Sequence, residues 1–119
     1  MLSKKSRLDK KVVEKIFKEG RFVNSPNISL KYILLRDGSL PRVSFISPKT
    51  ASSSAVVRNL LRRRGYAVLK KYFQNIPLGF LGVFIFGKKS VSVFGGKKST
   101  AHNPIMNLDR EIKGILSKI

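Results

Sequence analysis

The chain has 119 residues, 42% of them hydrophobic, and its 25 Lys and Arg against 6 Asp and Glu give a formal net charge of +19. This length suits one domain, residues 1–119, with a single core, and the apolar content excludes a disordered basic tail. The charge favours nucleic acid as a partner over an anionic membrane surface, because the apolar residues are needed for the core.

The first half of the chain predicts a helix followed by two strands. Residues 6–9 have the S-x-x-D form of a capping box, apolar residues then recur at helical spacing, and Gly20 ends the helix. Residues 28–35 alternate as a strand does, and residues 42–47 form a second strand after an Asp-Gly turn. One face of the first strand carries Ile28, Leu30, Tyr32 and Leu34.

The second half predicts two helices around one or two strands. The Ser-rich residues 50–54 can cap a helix at 55–73, and residues 80–86 are apolar enough for a buried strand. Residues 90–94 alternate over a short run, which indicates a further strand, and residues 108–119 have the spacing of an amphipathic helix.

The predicted order is helix-strand-strand-helix-strand(-strand)-helix, which places the chain in the α+β class. Gly65 interrupts the second helix at a cost of about 1 kcal/mol relative to Ala. Asp109 and Glu111 are expected in the first turn of the last helix, where acids favour the helix dipole.

The strongest functional signal is a basic block in the second helix. No Asp or Glu lies between Asp37 and Asp109, whereas the block itself reads R-N-L-L-R-R-R over residues 58–64. Guanidinium groups fork to phosphate oxygens better than ammonium groups do, so the block predicts phosphate binding over a merely solvated face. Asn59, between arginines, could be a surface amide or could make an orienting hydrogen bond to RNA or to backbone.

Aromatic residues offer a second kind of contact. Phe17, Phe22, Tyr32 and Phe45 could form a stacking platform for an unpaired strand, although their alternation with Val and Leu also fits core packing. Tyr66 could stack on a base or bury its ring.

A catalytic or metal site in the protein is not predicted. The chain has no cysteine and one histidine, and its acids are not clustered, so thiolate zinc sites and a two-metal nuclease site are excluded. Residues 1–11 lack the apolar core of a secretory signal, and no run approaches the ~20 apolar residues of a membrane span. We therefore expect a cytoplasmic protein with no membrane partner and no small-molecule cofactor.

Residues 42–63, R-V-S-F-I-S-P-K-T-A-S-S-S-A-V-V-R-N-L-L-R-R, resemble the signature of the bacterial ribonuclease P protein subunit. That signature is a strand of R-V-x-F-x-V-S-x-K type followed by A-V-x-R-N-R-x-K-R-x-x-R. The chain departs from it at Leu60, where an arginine is usual, and at Tyr66. The resemblance implies a small two-layer α/β sandwich whose central βαβ crossover is left-handed, an exception to the usual rule.

The resemblance also implies partners and roles. The catalytic RNA subunit would hold most of the Mg²⁺ together with the substrate, and the protein would help it remove the 5′ leader from precursor tRNA. The residues expected to bind the RNA subunit are Lys49, Arg58, Asn59, Arg62, Arg63, Arg64 and Lys70. The residues expected to line a leader-binding cleft between the first helix and the sheet are Phe17, Tyr32 and Phe45.

Two other interpretations share the composition. A ribosomal or other structural RNA-binding protein has the same size and charge but would not assist precursor cleavage. A protein nuclease is disfavoured by the scattered acids, and cleavage by the isolated protein would support it.

Overall fold

The structure, a computed structural model, describes residues 10–96 and 103–119, and within these it is built from one sheet and the helices around it. The elements in chain order are α1 Lys10–Glu19, β1 Arg21–Asn24, β2 Ile28–Leu34, β3 Arg42–Ile46, α2 Ala55–Tyr72, a 3-10 turn Phe73–Asn75, β4 Phe80–Phe86, α3 Ser90–Phe94 and α4 Pro104–Leu116. The α+β class is confirmed. The predicted capping box and His102 lie outside the described residues.

The four strands form one mixed sheet in the order β1-β2-β4-β3. β2 is antiparallel to both β1 and β4, and β3 is parallel to β4. The central strand β4 is apolar at nearly every position because both of its faces are covered. Helix α2 connects the parallel pair β3 and β4, and the left-handed sense of this crossover stays a prediction.

The main core lies between one face of the sheet and helices α2, α3 and α4. Alternate side chains of β2 and β3 point into it, including Leu30, Tyr32 and Phe45. The ring of Phe45 stacks on that of Phe84 at 4.8 Å between centroids, and Tyr32 stacks on Phe80 at 5.4 Å. These stacked pairs join neighbouring strands on the face of the sheet that α2 covers.

Helix α1 lies against the opposite face of the sheet. Ile16 is fully buried with Leu81 and Val83 of β4, and Ile33 of β2 packs around them. Because β2 side chains alternate between the faces, Lys31 lies on the α1 side whereas Tyr32 lies on the α2 side.

Two local predictions are wrong. Residues 90–94 form helix α3 rather than a strand, with the Gly95 amide bonding to the Val91 carbonyl at 3.0 Å and Phe94 packed edge-on against Phe86. Helix α4 begins at Pro104, where the Asn103 side chain accepts a hydrogen bond from the Met106 amide at 3.1 Å. The earlier start moves Asp109 and Glu111 out of the first turn.

Glu111 instead fastens α4 to the β1–β2 loop. Its Oε1 accepts hydrogen bonds from the Ser25 hydroxyl at 2.6 Å and the Asn27 amide at 2.9 Å, and its Oε2 accepts from Asn27 Nδ2 at 2.8 Å. This charge-assisted contact holds the loop that joins the edge strand β1 to β2.

None of the helices in residues 10–96 and 103–119 has the length and apolar character needed to cross a membrane.

Candidate nucleic-acid interface

Helix α2 exposes a basic row because its other side is buried. Ser54 is the N-cap, and its hydroxyl accepts a hydrogen bond from the Val57 amide at 3.3 Å. Leu61, Val68 and Leu69 are buried against the sheet and α4. The row on the opposite side, at helical spacing, is therefore solvent-exposed: it consists of Asn59, Arg63 and Lys70.

Two arginines beside this row are held in place by neighbouring groups. Arg58 is half-buried, and its Nη1 donates to the Ser52 carbonyl at 2.9 Å. Arg62 donates from Nη2 to the Asn59 side-chain oxygen one turn earlier. In this structure Asn59 bonds to a guanidinium rather than to backbone, because residues three apart share a helix side. Each bond restricts a long side chain before any ligand binds.

Arg64 differs from the other arginines of the block. Its Nη1 donates to the Phe94 carbonyl at 2.7 Å and its Nη2 to the Gly96 carbonyl at 2.8 Å. Both acceptors lie at the end of α3, so Arg64 ties α2 to that segment. The Arg64 guanidinium therefore stabilises the packing of α2 against the end of α3.

Carboxylates are scarce around this surface. Within the described ranges the one ion pair joins Lys71 to Asp109 at 3.7 Å, and it lies at the far end of α2 from Arg58. Lys49 is exposed in the loop before α2. A concentration of cations without neighbouring acids attracts a polyanion and raises its association rate. The basic face of α2, defined by Lys49, Arg58, Asn59, Arg62, Arg63 and Lys70, is a candidate phosphate-binding surface.

Tyr66 is part of the core and does not face a ligand. Its ring is 7% exposed and meets the Phe45 ring edge-on at 4.8 Å, and its hydroxyl accepts a hydrogen bond from the Phe45 amide at 3.2 Å. Of the two predicted possibilities for Tyr66, burial of the ring is confirmed.

The three predicted leader-binding rings do not line one cleft. Phe17 is exposed on α1, whereas Tyr32 and Phe45 are 6% and 4% exposed on the opposite face of the sheet. The prediction of a shared cleft is wrong because Tyr32 and Phe45 belong to the strand face that α2 covers. Leader binding by these residues stays a prediction.

Phe17 instead forms a cluster with two residues of the adjoining strands. Lys31 Nζ lies 5.5 Å from the centroid of the Phe17 ring and 5.9 Å from that of Phe22. Phe22 and Lys31 are direct partners in the β1–β2 register. We call Phe17, Phe22 and Lys31 the aromatic clamp. Phe17 and Phe22 are substantially exposed, at 39% and 50%, so part of each side chain is accessible to a ligand beside the ammonium group.

The sequence predicts only part of the clamp. Phe17 and Phe22 are candidate stacking residues, whereas Lys31 is not among the predicted site residues. Its signal is the alternation of β2, which sets it on the face opposite to Tyr32.

The described ranges contain no group of three His, Cys, Asp or Glu side chains that could hold a metal ion. Glu111 and Asp109 make hydrogen bonds within the fold.

The comparison with protein families identifies one family. The sequence profile of the family described as Ribonuclease P matches residues 2–118. No curated protein sequence matches the chain. Among solved structures, the chain is similar to the RNase P protein of Thermotoga maritima, with a TM-score of 0.78 at 21% identity over 95% of this chain and 96% of that one. It is also similar to the RNase P protein of Staphylococcus aureus, with a TM-score of 0.73 at 14% identity over 95% and 94% of the two chains. At these identities the structural matches show a common fold.

Proposed function

Since the chain belongs to the bacterial ribonuclease P protein family, we propose that it assists the catalytic RNA of that enzyme in removing the 5′ leader from precursor tRNA. The observation that supports this function is the pairing of a basic, acid-poor helix face with a separate pair of exposed aromatic rings. A ribosomal role would use the same charge, and the family membership disfavours it.

The basic face of α2 would bind the RNA subunit. Arg63 and Lys70 are exposed, and Arg62 is oriented by Asn59, so the face offers positive groups to the phosphate backbone. Each neutralised phosphate releases counterions and makes the affinity salt-dependent. Mg²⁺ would be held by the RNA subunit and the substrate, and the protein cations would lower the repulsion between the two RNA molecules.

The aromatic clamp would hold the single-stranded leader. Unpaired bases stack on exposed rings, and each such contact typically contributes about 1–3 kcal/mol. The clamp lies on the α1 side of the sheet and α2 on the other side. The protein would therefore contact the RNA subunit and the leader with different surfaces.

The test is the affinity of the assembled RNA–protein complex for precursor tRNA and for mature tRNA. Phe17→Ala and Phe22→Ala should weaken precursor binding and leave mature tRNA binding unchanged. Ile105→Ala, which removes an exposed apolar side chain on α4, is the matched control and should affect neither. Equal losses for the two substrates in the phenylalanine variants would contradict leader binding by the clamp.

A further inference from the structure

Strand β1 forms the more exposed edge of the sheet. The strand order β1-β2-β4-β3 puts β1 and β3 at the two edges. Three of the four residues of β1 are exposed, whereas every residue of β3 is buried or half-buried. An exposed edge strand offers backbone donors and acceptors with which an extended peptide can pair.

The register of β1 with β2 identifies the backbone groups that point outward. The Ser25 amide donates to the Ile28 carbonyl at 3.0 Å, which makes these two residues a hydrogen-bonded pair. In an antiparallel ladder, hydrogen-bonded and non-hydrogen-bonded pairs alternate. Val23 therefore bonds toward β2, and the amides and carbonyls of Phe22 and Asn24 point away from β2, toward the open edge.

A cavity lies at each end of β1. Arg21, the first residue of the strand, lines one of about 370 Å³. Asn24, the last residue, lines another of about 300 Å³ between the β1–β2 loop and α4. Four residues of a strand span about 13 Å, so a peptide only slightly longer than β1 would reach both cavities.

Cations outnumber acids in both cavities. Each is lined by two cations and one acid: Arg21 and Arg36 with Glu19, and Arg110 and Lys118 with Glu111. The Glu111 carboxylate already accepts three hydrogen bonds from the β1–β2 loop. Positive charge at both ends of the edge favours an acidic partner. It disfavours a second copy of this chain, because two β1 edges would bring like charges together.

The middle of the edge is apolar. Phe22 is half exposed, and a peptide residue paired with it would place its side chain beside the ring on the same face of the sheet. Aromatic and β-branched residues form the more favourable cross-strand pairs. A nucleic acid lacks the repeating N–H and C=O groups of a strand, so this edge suits a polypeptide that is apolar in its centre and acidic at its ends.

We propose that the outer edge of β1 is a docking site for an acidic, extended segment of a partner protein, which adds a strand to the sheet. The backbone of Phe22 and Asn24 supplies the hydrogen bonds, and the cations of the two cavities select acidic ends. An edge that is protected only by its short length and positive charge makes a different prediction. It would attract acidic peptides whether or not they can form a strand.

The probe is a fluorescein-labelled peptide, E-D-V-F-V-D-E, whose affinity for the full-length protein is measured by fluorescence anisotropy. Two further versions are N-methylated at alternate residues, one at the Phe set and one at the Val set, so that charge and side chains are unchanged. A peptide strand pairs with an edge through alternate residues only. One version should therefore bind about tenfold more weakly, because it loses backbone hydrogen bonds, and the other should bind as the unmodified peptide does.

Variants of the protein locate the site. Asn24→Pro removes an outward-facing amide, which an edge strand tolerates, and should weaken binding about tenfold. Asn24→Ala retains that amide and should bind the peptide as wild type does. Lys118→Glu should weaken binding at least about threefold. Lys113→Glu makes the same charge change on α4 outside both cavities and should have a smaller effect.

The outcomes separate this proposal from leader binding. Equal affinities for all three peptides would overturn strand addition, and so would wild-type binding by a folded Asn24→Pro protein. A dimer in sedimentation velocity that Asn24→Pro abolishes would assign the edge to a second copy instead. Asn24→Pro retains the aromatic clamp, so its complex should still prefer precursor tRNA over mature tRNA. If Asn24→Pro does not fold, the methylated peptides and Lys118→Glu decide the question.

Discussion

Gly65 of α2 lies so close to the ring of Phe45 on β3 that a Cβ atom at residue 65 would stand 2.6 Å from two of the ring carbons. The ring has little freedom to move, because it stacks on Phe84 at 4.8 Å and meets Tyr66 edge-on. The missing side chain therefore allows α2 to approach the sheet, and its basic face is held at that distance.

Gly65→Ala should lower the free energy of unfolding by about 1–3 kcal/mol, since overpacking outweighs the gain in helix propensity. Gly114→Ala is the matched control in α4, where no heavy atom lies within 4 Å of the added Cβ. This control should be neutral or raise the free energy of unfolding by up to about 1 kcal/mol. Urea denaturation measures both, and a stabilised Gly65→Ala protein would contradict the close approach.

Arg63 and Arg64 are adjacent in sequence but should respond differently to alanine. Arg63 is exposed, so Arg63→Ala should weaken binding of the RNA subunit, make the slope of log affinity against log salt shallower by about one, and leave stability unchanged. Arg64→Ala removes two hydrogen bonds to the end of α3 and should lower the melting temperature. Salt titrations and thermal unfolding of the two variants provide the comparison. Equal melting temperatures would contradict the structural role of Arg64.

The contact between Glu111 and the β1–β2 loop should contribute to stability. Glu111→Gln retains the shape of the side chain but turns an amide nitrogen or a weaker acceptor toward donors of Ser25 and Asn27. We expect a loss of about 2 kcal/mol in the free energy of unfolding, the range for hydrogen bonds to a charged group. Glu14→Gln on the exposed side of α1 is the control and should change little. A loss in both variants alike would point to net charge as the cause.

Tyr72 gives the chain a predictable response to alkaline pH. Its hydroxyl donates to Asp109 Oδ1, and this hydrogen bond, with burial and the nearby negative charge, raises the pKa of Tyr72 above its ordinary value of 10.0. The protonated phenol is favoured in the folded state, so its stabilising contribution is complete below pH 10.0 and is lost as the pH rises through the raised pKa.

The phenolate absorbance of wild type minus that of Tyr72→Phe reports this titration. In Asp109→Asn the pKa of Tyr72 should fall toward 10.0, because the hydrogen bond to a carboxylate and the nearby negative charge are both removed. In parallel, the difference in unfolding free energy between wild type and Tyr72→Phe should shrink as the pH rises. An unchanged pKa in Asp109→Asn would contradict this assignment of the shift.

The longer elements could be predicted because their hydrophobic periods are unambiguous. The type of each of these elements follows from its own sequence. β2 shows strand alternation, β4 is a continuous apolar run, and α2 begins after a capping serine. The five residues of α3 alternate like a strand, but a run this short does not determine the period, and the packing of Phe94 decides it.

The basic face of α2 was likewise predictable, since helical spacing and the absence of acids are properties of the sequence. The aromatic clamp was not. The alternation of β2 already separates Lys31 from Tyr32, but it does not show which face α1 covers. The short edge strand β1, which sets Phe22 opposite Lys31, has no distinct pattern of its own. A shift of one residue along β2 is therefore enough to move a side chain from one face of the sheet to the other.

The most direct test of the proposed function is cleavage of precursor tRNA by a bacterial RNase P RNA at low Mg²⁺, with and without this protein. We predict strong stimulation that requires the RNA subunit and that falls in Arg62→Ala and Arg63→Ala proteins whose circular dichroism is unchanged. Tight RNA binding with no stimulation of cleavage would contradict the proposal and support a structural RNA-binding role, and cleavage by the protein alone would place an active site in the chain itself.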